Sequence, residues 1–167
     1  DRMPVRLLSN GIDPDRWRIQ HDAGNGRTFT VVTVGRLARR KRQRTVVDML
    51  ARLRDELPTD IELRAVIVGD GHQFEAVKAD IHRAGLQDQV AMPGVLTREE
   101  IRRVLGRADV YVAPAALESF GIAALEARCA GVPVIGMSRS GLGEFVTDGI
   151  EGFLVDDDAQ MLEAVRS

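Results

Sequence analysis

Phe29-Thr30-Val31-Val32-Thr33-Val34 is a continuous apolar and β-branched run that ends at Gly35. A short run of this composition, closed by a glycine, predicts a buried β-strand. From Arg44 to Glu56 the apolar residues instead recur every three or four positions, which predicts an amphipathic helix, and Pro58 ends it. A strand followed at once by a helix is the repeating unit of an α/β protein.

The same alternation of strand and helix continues to the end of the chain. Further strands are predicted at 63–68, 90–92, 109–113, 132–136 and 152–155. Helices are predicted at 72–84, from Thr97 with Glu100 in capping-box spacing, at 121–130, near 143–147, and from an N-cap at Asp158. The strands are continuously apolar, which is typical of a parallel sheet covered on both faces. We therefore predict an α/β fold: a Rossmann-like, doubly wound, mainly parallel sheet with helices on both faces.

Length and composition limit the class of protein. A chain of 167 residues with 44% hydrophobic content and a net charge of −2 is expected to form one globular domain rather than a disordered chain. It has no run of about 18 apolar residues, and its first thirty residues lack the charged-then-apolar pattern of a signal peptide, so we expect neither a membrane span nor a leader. The single Cys129 excludes an internal disulfide and fits a cytoplasmic, reducing compartment.

The first 28 residues differ from the rest of the chain. Leu7-Leu8-Ser9-Asn10-Gly11 is followed by a polar stretch that extends to Gly26. We predict that residues 1–28 are an interdomain linker and that residues 29–167 form a single Rossmann-like domain. Ligands of open parallel sheets bind beyond the carboxyl ends of the strands, so the functional residues are expected in the loops that follow them.

The loop after the first strand, Gly35-Arg36-Leu37-Ala38-Arg39-Arg40-Lys41-Arg42, is the most basic segment. Gly35 lets a ligand approach the backbone closely, and the side chains of Arg36 and Lys41 are long enough to reach a phosphate. A solvated helix start is an equally simple interpretation. A nucleic-acid surface is disfavoured, because the net charge is slightly acidic and only 4% of the residues are aromatic.

Two carboxylates, Glu118 and Glu126, belong to the segment that is richest in residues able to bind a ligand. Glu118 comes just before a predicted helix, and Gly121 leaves the first N–H groups of that helix open to a diphosphate or a sugar hydroxyl. Counted along one helix, Glu118 and Glu126 point within a quadrant of each other. In the alternative interpretation neither glutamate binds a ligand: Glu118 is a negative charge at the N-terminus of the helix, and Glu126 is a surface residue. The small apolar neighbours of Glu126 favour function, because a buried carboxylate needs a partner.

Three other motifs have structural interpretations that we favour. Gly69-Asp70-Gly71 resembles the opening of a dinucleotide fingerprint, but Phe74 occupies the third glycine position, so a tight turn is the better prediction. Asp156-Asp157-Asp158 could hold a divalent metal, but a helix cap at Asp158 explains the run more simply. Cys129 on an apolar helix is predicted to be a core residue rather than a nucleophile. We predict no metal site.

Glu118 and Glu126, separated by seven residues that include Ser119-Phe120-Gly121, are the most specific part of a longer series of motifs. The other motifs are Asn10–Asp13, Val34–Leu37 with Lys41, Val68–Gly71, Gly94, 130–135, 141–144 and 148–155. In this order they resemble the C-terminal half of retaining glycosyltransferases with the GT-B fold, family 4, known as glycosyl transferases group 1. The resemblance extends from Asn10 almost to the end of the chain.

This resemblance implies a site for a nucleoside-diphosphate sugar donor of UDP or GDP type, with no additional cofactor and no metal. Arg36 and Lys41 would then stabilise the charge that develops on the departing diphosphate. Glu118 would bind the donor sugar near its reacting carbon, and Glu126 would accept hydrogen bonds from the ribose hydroxyls. The remaining donor contacts would come from Gly35, Val95, Leu96, Ser119, Phe120, Gly121 and Ile122.

The chain also departs from the family pattern. Arg42 stands where a glycine commonly follows the lysine, and Arg128-Cys129 stand where many relatives have Met-Ala. The family's N-terminal half, which binds the acceptor and supplies a catalytic histidine, is not in this sequence, so we expect the chain alone to transfer no sugar. We expect the chain to bind the donor and the missing N-terminal domain, and the full enzyme to use an unknown acceptor. Any peripheral membrane contact would come from the missing domain, and no nucleic acid is expected as a partner. The alternatives are an epimerase-like GT-B enzyme and a non-catalytic nucleotide-sugar-binding module.

Overall fold

The computed structural model describes residues 10–21 and 26–167. Its strands are β1 (Thr28–Val34), β2 (Glu62–Val68), β3 (Val90–Gly94), β4 (Val110–Ala113), β5 (Val134–Met137) and β6 (Gly152–Val155). Its helices are α1 (Gln43–Glu56), α2 (Phe74–Arg83), α3 (Arg98–Leu105), α4 (Ile122–Cys129) and α5 (Asp158–Arg166). Within these ranges, no helix has both the length and the apolar content needed to cross a membrane.

The six strands form one parallel sheet in the order β3-β2-β1-β4-β5-β6. The chain builds outward from β1 to one edge of the sheet and then from β4 to the other edge. The direction therefore reverses between β1 and β4, which makes this pair of strands the topological switch point of a doubly wound sheet. The predicted α/β fold is confirmed, and the loops after β1 and β4 lie where such sheets bind ligands.

Both faces of the sheet are covered, as the uninterrupted apolar strands predicted. Successive side chains of a strand point to opposite faces. Val31 of β1 packs in a buried cluster with Leu50 of α1, and α2 and α5 contribute to the same cluster. Its neighbour Val32 belongs to a second buried cluster with Leu105 of α3 and Ala127 of α4. The sheet is thus the middle layer of three.

Two local predictions need correction. The helix expected near 143–147 is a short 3₁₀ turn at Gly141–Glu144. The cap of α5 is Asp157 rather than Asp158, because the Asp157 carboxylate accepts a hydrogen bond from the backbone N–H of Gln160 at 2.9 Å. Asp158 is the first residue of the helix, and its side chain turns toward Arg42.

The segment before β1 is partly described. Residues 1–9 and 22–25 of the predicted linker, including Leu7 and Leu8, lie outside the described residues. In residues 10–21 a 3₁₀ turn at Pro14–Arg16 is followed by Trp17, which is buried in the same cluster as α3 and α4. The imidazole Nε2 of His21 is 2.7 Å from the carbonyl oxygen of Ala130, at the end of α4. This segment therefore packs on one face of the domain.

Candidate functional site

A cleft of about 350 Å³ opens at the switch point of the sheet. Its walls are the ends of β1 and β4, the start of α1, and the loop from Pro114 to Gly121 that leads into α4. This volume is in the usual range of small-molecule sites. The predicted site residues that line it are Gly35, Lys41, Glu118, Ser119, Phe120, Gly121 and Ile122.

Lys41 and Glu118 form an ion pair within this cleft. Lys41 ends a 3₁₀ turn in the loop after β1, and Glu118 lies in the loop before α4. The two side chains are 21% and 18% exposed, so water screens their charges less than it screens a surface pair. In the ligand-free site each charge satisfies the other, and a bound anion would compete with Glu118 for Lys41.

The start of α4 presents backbone N–H groups to the same cleft. Gly121, the N-cap residue, adopts a left-handed conformation with φ 91° and has no side chain with which to cap the helix. The first N–H groups of α4, on Ile122, Ala123 and Ala124, have no acceptor within the helix, and these residues line the cleft. Because the helix N-terminus carries partial positive charge, this arrangement suits an anion.

The loop that contains Glu118 is held by the loop after β5. The backbone N–H of Gly141 donates to the carbonyl oxygen of Glu118 at 2.8 Å. A Cβ atom at residue 141 would lie 2.1 Å from the carbonyl oxygen of Ser119, so only glycine permits this approach. The ring of Phe120 packs against the ring of Phe145, with centroids 5.2 Å apart. These contacts fix the backbone path at the mouth of the cleft.

Gly69-Asp70-Gly71 similarly supports the loop after β1. A Cβ atom at Gly69 would lie 2.0 Å from the carbonyl oxygen of Gly35, and one at Gly71 would lie 2.3 Å from that of Leu37. The backbone N–H of Leu37 donates to the carbonyl oxygen of Asp70 at 2.9 Å. The motif is therefore explained by close packing between two loops, which agrees with the structural interpretation made from the sequence.

Tyr111 of β4 was missed by sequence reasoning, which treated it only as a strand residue. Its hydroxyl lines the back of the cleft and donates to the carbonyl oxygen of Val34 at 3.0 Å. Burial raises the pKa of the Tyr111 hydroxyl, the hydrogen bond with the backbone of Val34 partly offsets this, and the negative charges of Glu126 and Glu118 raise the pKa further. A tyrosine in an otherwise aliphatic strand was the available signal. The other lining residues that were missed include Asn10, Thr33 and Gln43.

Glu126 lies on α4 outside the cleft lining. Glu118 precedes α4 and Glu126 lies on it, as predicted, but the left-handed Gly121 lies between them, so a count of helical positions does not give their relative direction. Burial raises the pKa of the Glu126 carboxyl, and the positive charge of Arg98 partly offsets this effect. The Glu126 side chain is half-buried and forms no hydrogen bond or ion pair with the described part of the chain.

Arg36, Val95 and Leu96 also lie outside the cleft lining. The Arg36 side chain is exposed next to Gly35, and among residues 10–21 and 26–167 it has no ion-pair partner. Val95 is 76% exposed, and Leu96 beside it is partly buried, in the loop after β3. The proposed contacts of these three residues with a donor stay predictions.

Each aspartate of the 156–158 run has a protein partner. Asp156 accepts a hydrogen bond from the hydroxyl of Ser138, Asp157 caps α5, and Asp158 pairs with Arg42. Within the described ranges, no group of three or more His, Cys, Asp or Glu side chains is placed to hold a metal ion. The run therefore joins the loop after β5 and the loop after β1 to the start of α5.

A parallel doubly wound sheet with a cation and a helix N-terminus in its switch-point cleft has the architecture of a Rossmann-like domain suited to an anionic ligand. Residues 15–167 match the family Glycosyl transferases group 1, and the chain belongs to this family. The family expected from the motifs is thus confirmed.

Individual relatives agree with this assignment. The chain is 36% identical over 144 residues to the D-inositol 3-phosphate glycosyltransferase of Arthrobacter sp. strain FB24, a match that covers 82% of this chain and 34% of that protein. It is 32% identical over 165 residues to the glycogen synthase of Mycobacterium tuberculosis, covering 98% and 39%. The structure of Anabaena HepE in complex with UDP and glucose matches with a TM-score of 0.76 at 22% identity, covering 97% and 50%. The chain therefore spans between a third and two fifths of the length of these two curated relatives.

Proposed function

We propose that this chain is the donor-binding domain of a glycosyltransferase that transfers a sugar from a UDP- or GDP-type nucleoside-diphosphate sugar, with retention of anomeric configuration. The observation that carries the proposal is the pairing of Lys41 with Glu118 in a cleft that the N-terminus of α4 also lines. A diphosphate needs cationic and N–H donors, and a sugar needs acceptors for its hydroxyl groups. This one cavity offers both.

In this proposal the diphosphate lies between Lys41 and the first N–H groups of α4. As the bond to the sugar breaks, negative charge grows on the diphosphate oxygen that leaves. Donors that are already oriented toward this charge lower the barrier without reorganising. The exposed side chain of Arg36 follows Gly35, which lines the cleft, and Arg36 is the second cation that we assign to the diphosphate. These positive groups would neutralise the leaving group without a metal ion.

The two glutamates are assigned to hydroxyl groups of the donor. Glu118 would exchange its bond with Lys41 for bonds from the donor sugar. Glu126 is a half-buried carboxylate whose pKa is raised by burial, and bonds from the ribose hydroxyls would compensate for its lost hydration. The exposed apolar side chain of Val95, with Leu96 beside it, is assigned to the face of the base.

The comparisons support this proposal at the level of the family. The structurally similar HepE was solved with UDP and glucose, and the curated relatives include a named glycosyltransferase and a glycogen synthase. Since the chain spans less than half of those two relatives, we assign the acceptor and the completion of transfer to a second domain.

Calorimetric titration of the 167-residue chain with UDP, GDP and ADP tests donor binding. Lys41→Met removes the cation from the cleft, whereas Lys78→Met removes the other lysine, which is exposed on α2. Loss of a charge-assisted hydrogen bond costs about 1.5–3 kcal/mol, so Lys41→Met is expected to weaken the preferred nucleotide by roughly 10- to 150-fold. Lys78→Met is expected to bind like the wild type. Absence of heat and of chemical-shift changes with all three nucleotides would overturn the proposal.

A second pair of titrations tests the role of Glu118. Glu118→Gln frees Lys41 from its ion pair, so it is expected to strengthen binding of UDP alone. The same change removes the charged acceptor for the sugar, so the additional affinity of UDP-glucose over UDP is expected to fall. Equal effects on the two ligands would contradict the assignment of Glu118 to the sugar. Added EDTA should leave both affinities unchanged.

Reaction products distinguish the proposed enzyme from its alternatives. A longer protein that includes the acceptor domain is incubated with labelled donor and candidate acceptors. Label on the acceptor supports transfer, and the anomeric configuration of the product tests retention. An epimerised donor or free sugar would identify an epimerase-like enzyme, and tight binding without turnover would identify a binding module.

A further inference from the structure

Arg42 has an unusual backbone for an arginine. It adopts φ 57° and ψ 31°, and in the described ranges it is the only residue other than glycine with a positive φ. This left-handed conformation costs free energy for any residue that has a Cβ atom, whereas glycine adopts it freely. The glycine common at this place in the family would therefore suit the backbone better. The side chain of Arg42 supplies interactions that glycine cannot.

The guanidinium group of Arg42 joins three elements at the carboxyl edge of the sheet. Its Nη2 donates to both carboxylate oxygens of Asp158, at 2.8 and 2.7 Å, in the first turn of α5. Its Nη1 donates to the carbonyl oxygen of Pro114 at 3.0 Å, where the loop after β4 begins. The backbone of Arg42 itself lies between the 3₁₀ turn after β1 and the start of α1.

These contacts involve the same two loops as the ion pair in the cleft. Lys41 precedes Arg42 in the chain, and Glu118 lies four residues after Pro114 in the same loop. The loops after β1 and β4 are thus joined twice, by Lys41 with Glu118 and by Arg42 with Pro114. A diphosphate bound to Lys41 would compete with the first connection. The second does not involve either group that we assign to the donor.

We propose that Arg42 is a positioning residue of the donor site, an inference that rests on the proposed function. It holds the loop of Lys41 and the loop of Glu118 against the start of α5, so that their separation is kept when a diphosphate competes with Glu118 for Lys41. Arg42 itself is not among the residues that line the cleft, and its guanidinium is already occupied by Asp158 and Pro114. It therefore acts through Lys41 rather than by contact with the diphosphate.

Two variants break this connection in different ways. Arg42→Gly keeps the left-handed backbone and removes the guanidinium. Asp158→Asn keeps the arginine and removes the charge of its partner. The controls are Asp157→Asn, which removes the adjacent charge but retains a capping side chain, and Arg166→Ala, which breaks the pair between α5 and Glu56 of α1. Circular dichroism establishes that each variant is folded.

Amide hydrogen exchange with UDP bound measures the loop directly. Arg42→Gly and Asp158→Asn are expected to exchange at least about twofold faster than the wild type in peptides that cover residues 114–121. Asp157→Asn and Arg166→Ala are expected to match the wild type there. Unchanged exchange in both test variants, or equal increases in the controls, would overturn the role of Arg42.

Calorimetry with UDP on the variants Arg42→Gly, Lys41→Met and their combination tests the connection to Lys41. Coupling between neighbouring residues predicts that Arg42→Gly weakens UDP binding at least about twofold in the wild type and less in the Lys41→Met background. Equal fold-changes in both backgrounds would overturn a role through Lys41. A wild-type chain that binds no nucleotide would instead overturn the proposed function itself, and the role of Arg42 with it.

Discussion

Gly141→Ala inserts a methyl group into one of the tightest contacts around the cleft. The new Cβ atom would lie 2.1 Å from the carbonyl oxygen of Ser119, 2.5 Å from its carbonyl carbon and 2.8 Å from the Cα of Phe120. All three are backbone atoms, so no side-chain rotation relieves the overlap. The loop before α4 would have to move by roughly an ångström or more to restore ordinary contact distances.

The size of the effect follows from the cost of overpacking. A forced backbone shift of this kind costs about 1–3 kcal/mol. In a chain of this length each kcal/mol lowers the melting temperature by roughly 2–4 °C, so a fall of roughly 2–12 °C is expected. Because the displaced residues lead directly into α4, we also expect weaker binding of UDP. Scanning calorimetry measures the first effect and titration calorimetry measures the second.

Gly143→Ala is the matched control, since residue 143 lies in the same 3₁₀ turn. A Cβ atom there would meet only the Cδ1 atom of Leu154, at 3.8 Å, which is an ordinary contact. Replacement of glycine at an unstrained site stabilises by about 0.4–1 kcal/mol. A Gly141→Ala variant that melts at the temperature of Gly143→Ala and binds UDP like the wild type would refute a steric need for glycine at residue 141.

Three further predictions concern charged groups. Because burial raises the pKa of Glu126, its ionisation opposes folding as the pH rises above about 4.5, so Glu126→Gln is expected to melt higher at pH 7 while binding UDP more weakly. Hydrogen bonds from Arg128 and Thr147 lower the pKa of Glu151 to about 2. The ionised Glu151 therefore stabilises the fold fully above about pH 4.5, and this stabilisation is lost as the pH falls toward 2. In Arg128→Met the melting temperature should depend less on pH in this range. Asp157→Ala should lower stability by about 1 kcal/mol in chemical denaturation and Asp157→Asn much less, because asparagine still caps α5.

The sheet and its two covered faces were predictable because they depend on local pattern. Each strand is a short apolar run, and the side chains of neighbours such as Val31 and Val32 enter opposite clusters. The loops that form the site were predictable for the same reason, since they follow the strands. The cap of α5 was misplaced by one residue, because neighbouring aspartates look equivalent in the sequence and only their contacts distinguish them: Asp157 with the N–H of Gln160 and Asp158 with Arg42.

The arrangement within the site could not be predicted, because it depends on contacts between distant parts of the chain. Lys41 and Glu118 are 77 residues apart, and Arg42 and Asp158 are 116 apart. The left-handed backbone of Gly121 separates Glu118 from α4, and no count of helical positions reveals that break. The sequence also indicated a turn at Gly69–Gly71 without showing which backbone it packs against.

Some of the arginines have a structural role as partners in ion pairs. Arginine outnumbers lysine strongly, since only Lys41 and Lys78 are lysines among 23 basic residues. Four arginines pair with a carboxylate from a distant part of the described chain: Arg42 with Asp158, Arg44 with Asp80, Arg128 with Glu151 and Arg166 with Glu56. Arg36 differs, because it has no ion-pair partner among the described residues. In the proposed site, Arg36 can meet an incoming diphosphate without losing an ion pair, whereas Lys41 is shared between the diphosphate and Glu118.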